Sequence, residues 1–178
     1  MTAAAAAELP TAPDGARQLD IRVPISADAS AVLDALNAGA EAWLGEPVHA
    51  DADGRSADRP ARRRRFATDL RLRVSDRTER TLFRKAAIVE LGTPVRSPDG
   101  TVSVEIGWRA ATLAPLFPVF AGRLTVGSHE ARLRGLYAPP GGRIGLLADT
   151  ALLHLAAQGT ARWLLRELES AVEDHPRR

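Results

Sequence analysis

The stretch that decides the fold runs from Glu130 to Asp174. It opens Glu130-Ala131-Arg132-Leu133-Arg134-Gly135-Leu136-Tyr137 and breaks at Ala138-Pro139-Pro140-Gly141-Gly142. The first part alternates like a half-buried strand, and the break is built from turn residues. Beyond Gly142 there is no proline before Asp174, and only Gly145 and Gly159 interrupt the run. This predicts one long helix. A sheet followed by a single long C-terminal helix predicts a helix laid across a curved sheet. That plan encloses a pocket, so it points to ligand binding before any catalytic motif does.

Working back along the chain, Val102, Val104, Ile106 and Trp108 make the clearest alternating strand. Ser97-Pro98-Asp99-Gly100 before it is a hairpin turn signal. Leu19, Ile21, Val23 and Ile25 alternate with polar residues, and Pro24 favours an edge or a strand end. Ser26 or Asp28 can cap a following helix that carries Val32, Leu33, Leu36, Ala40, Trp43 and Leu44 and stops at Gly45 and Pro47. Residues 46–65 read as a polar loop ending in Arg62-Arg63-Arg64-Arg65. Strands are expected over 66–74 and 81–91. The second of these has an ambiguous inward face, because Phe83, Val89 and Leu91 compete with Leu82, Ala86 and Ile88. Pro115 and Pro118 mark 112–122 as a bent edge or a lid, with a short strand at Leu124 and Val126. Strands bracketed by helices, with no βαβ repeat, give an α+β class with an antiparallel sheet.

The chain has 178 residues and 45% apolar content, enough for one domain with a real core. Residues 1–17 and 175–178 read as tails around a domain at 18–174. There is no cysteine, which excludes disulfides, thiolate metal sites and cysteine nucleophiles. The formal charge is +2, yet the pI is near 9.9. All but one of the 24 basic residues are arginine, which keeps its proton to very high pH. The high pI is therefore poor support for a nucleic-acid partner and fits a GC-rich genome, as in many actinobacteria. No apolar run reaches the roughly 20 residues that span a bilayer. No basic segment precedes Ala3–Ala7, so the expected location is cytoplasmic, without membrane insertion.

The element order resembles the helix-grip fold of the START-like superfamily, also called SRPBCC. The closer resemblance is to uncharacterised actinobacterial members. It rests on Phe117-Pro118-Val119-Phe120-Ala121-Gly122-Arg123-Leu124, and on Leu133, Gly135, Tyr137, Pro139, Pro140, Gly142 and Gly145 followed by Asp149. The motif-level match covers about residues 102–170. The resemblance implies a curved antiparallel sheet of about six or seven strands, wrapped around the C-terminal helix over an apolar cavity. It supplies no catalytic residues, because members of the superfamily differ in chemistry. One departure is the loop 46–65, where related folds usually place a second helix.

On a helical wheel, Leu153, Ala157, Ala161, Leu164 and Leu168 share the inward face. The small Ala157 and Ala161, with Thr160 beside them, either let helix and sheet pack closely or leave a cavity. His154 lies at the margin of that face, as a polar anchor or as a surface-edge histidine. Trp108 and Tyr137 close two inward strand runs. The hydroxyl of Tyr137 needs a partner if buried, which makes it the best polar cavity contact, though nearby backbone would serve as well. Phe117 and Phe120 form a hydrophobic lip or simply seal the core. Glu105, Arg109, Arg132 and Arg134 fall on the outer face. No two histidines have the i, i+4 spacing of a helical zinc pair, and no motif names a metal or cofactor.

The first expectation is a non-catalytic site for a small hydrophobic or amphipathic molecule. It would be lined by Val104, Ile106, Trp108, Phe117, Phe120, Leu133, Tyr137, Leu153, His154, Ala157 and Leu164. The alternatives are a polyketide cyclase or aromatase using the same cavity, with Tyr137 and His154 as the proton-transfer candidates, and a packed domain that works through a protein partner. The sequence is silent on oligomeric state.

Overall fold

The computed structural model describes residues 16–48, 63–73, 81–111, 119–138 and 150–174, and the side chains of all of these except 70–73, 81–85 and 150–156. Strand β1 spans Arg17–Pro24, α1 Ala29–Asn37, α2 Ala40–Leu44, β2 Glu46–Pro47, β3 Arg64–Arg73 and β4 Thr81–Leu91. Then come β5 Val95–Arg96, β6 Val102–Ala110, β7 Val119–Val126, β8 Glu130–Ala138 and the long helix α3, Thr150–Glu173.

All strands join one open antiparallel sheet in the order β1-β8-β7-β6-β4-β3-β2, with β5 pairing β6 off that path. β4 and β5 share one lane. From Leu91 to Val95 the chain advances four residues, while its partner runs from Ile106 to Ser103, three residues. The extra residue is a bulge, and Gly92 N–H donates to the Glu105 carbonyl at 2.8 Å across it. The eight segments therefore fill seven lanes. The Ser97–Gly100 turn is as expected, with Gly100 N–H donating to the Ser97 carbonyl at 3.0 Å.

The strand alternation is realised face by face. Leu19 and Ile21 on β1, Val104, Ile106 and Trp108 on β6, and Leu133 and Tyr137 on β8 are buried between half-buried or exposed neighbours. The disputed face of β4 resolves to Ala87, Val89 and Leu91 inward, with Ala86 exposed. Pro24 ends an edge strand, where its missing N–H breaks no ladder.

Three expectations are corrected. The first helix is two helices. Ala38 and Gly39 N–H both donate to the Asp34 carbonyl, which ends α1, and α2 starts anew at Ala40. Asp28 caps α1 through Oδ1, which accepts from Ser30 and Ala31 N–H at 2.8 Å each. Second, the expected loop 46–65 carries strand at both ends, β2 and the first two residues of β3; its middle, 49–62, lies outside the described residues. Third, Val119–Gly122 belongs to no bent edge or lid. β7 is an eight-residue inner strand between β6 and β8. The exclusion by proline ends at Pro118, because every residue from Val119 on has an N–H for the ladder.

The arginine run is engaged by the fold. Arg65 stands opposite Glu90 across the β3–β4 ladder and pairs with it at 3.2 Å. Arg63 reaches Glu105 at 2.9 Å. Arg64 donates to the Asn37 carbonyl at 2.6 Å and to that of Leu36, two orphan carbonyls at the C-terminal end of α1. Arg62 lies outside the described residues.

Helix α3 buries Ala157, Ala161, Leu164, Leu165, Leu168 and Val172. Its close backbone approaches are to β1 and β3, with lesser ones to β8, α1 and α2; β4, β6 and β7 stand farther off. β1 and β3 lie five lanes apart, roughly 24 Å if the sheet were flat. A helix that touches both margins while the middle recedes lies in a concave sheet.

Candidate functional site

One continuous row of large side chains crosses the sheet from β3 to β8, through its receding middle. Register places Phe66 opposite Val89, Val89 opposite Trp108, Trp108 opposite Phe120, Phe120 opposite Tyr137, and Tyr137 opposite Arg17. Five strands thus present Phe66, Val89, Trp108, Phe120 and Tyr137 side by side on the concave face. The rings of Trp108 and Phe120 stack at 4.1 Å and 19°. Such pairs add about 0.5–1.5 kcal/mol beyond their area burial.

The next row explains two of the motif glycines. Ile106 faces Gly122, Gly122 faces Gly135, and Gly135 faces Leu19. With no side chain on either glycine, the Phe120 ring lies down over the pair. A Cβ built on Gly122 would sit 2.7 Å from Phe120 Cζ, and one on Gly135 would sit 2.8 Å from it. The phrases Phe-x-Gly on β7 and Gly-x-Tyr on β8 are therefore one packing unit. They lay an aromatic ring flat on the sheet and hold it against Trp108.

Of the residues expected at the site, the structure brings Val104, Ile106, Trp108, Phe120, Leu133 and Tyr137 onto the concave face, all buried. Ala157 and Leu164 are buried on α3. Leu153 and His154 lie on α3, but their side chains fall outside the described set, and Phe117 lies outside the described residues. The outer face sorts as expected. Glu105, Arg109 and Arg134 are exposed, and Arg132 pairs with Asp20 through two hydrogen bonds. That contact, with Arg132 as the first cause, holds the Asp20 carboxyl below the usual carboxylate range.

Trp108, Phe120 and Tyr137 are 3%, 2% and 1% exposed. The row is closed, and a molecule reaches it only when covering groups give way. Apart from the polar atoms of the buried Trp43, Trp108, Trp163 and Tyr137 rings, Thr160 is the one buried polar side chain among the described residues, and none that is charged is buried. Sequence reasoning missed Trp163 on the same helix. Its indole N–H is buried, with no acceptor among the described residues. Trp163 lies off the apolar stripe of the wheel, so periodicity gave no sign of its burial.

Burial pushes the Tyr137 phenol above its ordinary value, and the positive charge of Arg17 opposes that rise. Tyr137 is the only tyrosine in the chain, so tyrosinate absorbance reports it alone. The folded protein is expected to titrate above about 10 and the urea-unfolded chain near 10. A group whose folded pKa is raised contributes stability that is whole below the unfolded value and lost as pH rises through the folded one. Tyr137→Phe should therefore resist alkaline unfolding better than the wild type. A folded midpoint at or below 10 would contradict the burial of this hydroxyl.

Among the described residues, no helix is long and apolar enough to cross a membrane, and no group of three or more His, Cys, Asp or Glu could hold a metal ion. No protein-family model and no curated protein matches the chain. Solved structures do match. TTHA0849 from Thermus thermophilus superposes with a TM-score of 0.50 at 15% identity, covering 90% of this chain and 100% of that one. A STAR-related lipid transfer protein fragment from Xanthomonas axonopodis gives 0.48 at 19% identity, covering 94% and 90%. The ZhuI aromatase/cyclase from Streptomyces sp. R1128 gives 0.47 at 12%, covering 91% and 96%. At these identities the likeness is one of fold. With its concave antiparallel sheet gripping a C-terminal helix, the chain has a helix-grip fold.

Proposed function

We propose that the protein binds a small hydrophobic or amphipathic molecule between the concave sheet face and α3. The observation that carries this reading is the aromatic row Phe66–Trp108–Phe120–Tyr137, whose central pair, Trp108 and Phe120, sits on strands that stand off from the helix while β1 and β3 hold it. Such a row offers a flat apolar body a surface of matching shape, with Tyr137 at one end to orient it. Removing apolar surface from water contributes about 25 cal/mol per Å². Val104, Ile106, Leu133, Ala157 and Leu164 would complete the wall.

The near-complete burial of the row favours a second reading, a filled interior that takes no ligand. The two differ in a direct titration. N-phenyl-1-naphthylamine, an uncharged aromatic probe, should bind saturably at one molecule per chain, with its fluorescence excited by transfer from the tryptophans. Absence of saturable binding would leave the filled interior as the better account.

A further inference from the structure

The aromatic row does not end at Tyr137. Its next member, directly opposite on β1, is Arg17. By the alternation of a strand, Arg17 shares the face of Leu19 and Ile21, which is the concave one. It is exposed, at the margin of the sheet, in the edge lane. From the centre of Trp108 to Arg17 is three lanes, roughly 14 Å. That length suits a body of two or three rings, with a polar end at the arginine.

Several other arginines of the sheet have partners. Arg22 comes within 4.0 Å of Glu130, Arg63 reaches Glu90 and Glu105, Arg65 reaches Glu90, and Arg132 holds Asp20. Arg64, at the opposite margin of the concave face, is bound to carbonyls of α1. Among the described residues, Arg17 alone of these has neither a carboxylate nor a carbonyl to hold. An anionic oxygen placed there would gain charge-assisted hydrogen bonds from a planar fork of donors, beside the Tyr137 hydroxyl.

We infer that Arg17 is the anion-recognising residue of the site, and that the ligand is an amphipathic organic anion. Its apolar body lies on Trp108 and Phe120, and its carboxylate or equivalent faces Arg17 and Tyr137. The inference rests on the binding reading above and names the chemical class of the ligand. The opposing pull of Arg17 on the ionisation of Tyr137 fits their adjacency.

The test compares two probes with one skeleton, 8-anilinonaphthalene-1-sulfonate and the uncharged N-phenyl-1-naphthylamine, on the full chain. The readout is the ratio of their dissociation constants. Arg17→Gln should lower the preference for the sulfonate by roughly tenfold or more, the scale of a hydrogen bond to a charged group. Arg17→Lys, which keeps the charge, should recover part of it. Arg17→Gln should also raise the tyrosinate midpoint of Tyr137. An unchanged ratio in Arg17→Gln would overturn the role of Arg17 while leaving the pocket intact. Failure of both probes to bind the wild type would sink the pocket itself, and this inference with it.

Discussion

Replacing Gly135 by alanine lowers stability by about 3 kcal/mol, the upper range for forcing atoms into a filled interior. The added Cβ would lie 2.4 Å from the Ala121 carbonyl oxygen, 2.6 Å from Gly122 Cα and 2.8 Å from Phe120 Cζ. Two of these are backbone atoms of the neighbouring strand and cannot swing aside. Either β7 and β8 part locally or Phe120 leaves its place against Trp108. For a chain of this length the loss corresponds to a fall of about 6–12 °C in Tm. Gly122→Ala meets the Arg134 carbonyl oxygen at 2.3 Å and should behave alike. Gly127→Ala is the control, since its Cβ would meet only the Glu130 carbonyl oxygen at 3.9 Å. That variant should stay within about 0.5 kcal/mol of the wild type. Urea unfolding of the three variants checks the set. Equal stability of Gly135→Ala and Gly127→Ala would show that the glycine pair does not seat the Phe120 ring.

Ala157→Trp abolishes ligand binding, with at least a hundredfold loss of affinity for N-phenyl-1-naphthylamine, and keeps the fold. Ala157 is buried on the helix face that meets the sheet, one turn from Thr160 and Ala161. An indole there takes the volume that the ligand would otherwise fill. If the space is a ligand site, the side chain substitutes for the ligand and Tm changes by only a few degrees. If the interior is already filled, the same change overpacks it and costs more than about 3 kcal/mol. One variant therefore separates the two accounts by two readouts, affinity and thermal unfolding. Wild-type affinity in a folded Ala157→Trp protein would move the site away from α3.

How much of this was legible follows from which forces act locally. The alternation on β6 and β8 was plain because one face of an antiparallel sheet is wet and the other dry, so the period of two is written into each strand. The long helix was plain because nothing in 150–173 breaks it. The break between α1 and α2 was not, since Ala40, Trp43 and Leu44 continue the apolar spacing past Gly39. Phe120 was kept out of the ladder, although it belongs to an inner strand. Two prolines just upstream resembled the signature of an edge. The face of β4 was ambiguous because Ile88 and Ala86 are apolar on the outer side as well.

Other features depend on pairing between distant residues and have no local signal. Gly122 and Gly135 were visible as motif members, but their purpose lies in facing each other across β7 and β8 beneath Phe120. Arg17 was assigned to the tail that precedes the domain. Its place at the end of the aromatic row exists only through the register of β1 on β8, residues more than a hundred positions apart. The arginine run at 63–65 looked like a charge patch because its partners, Glu90, Glu105 and the end of α1, also lie well outside its own stretch of chain.

The central claim is that the space between sheet and α3 holds a small molecule. Native mass spectrometry of the protein purified from its own host tests it most directly. The account predicts one co-purifying small molecule per chain, amphipathic and released on denaturation. A bare chain mass, unchanged after incubation with a lipid extract of the same host, would contradict it.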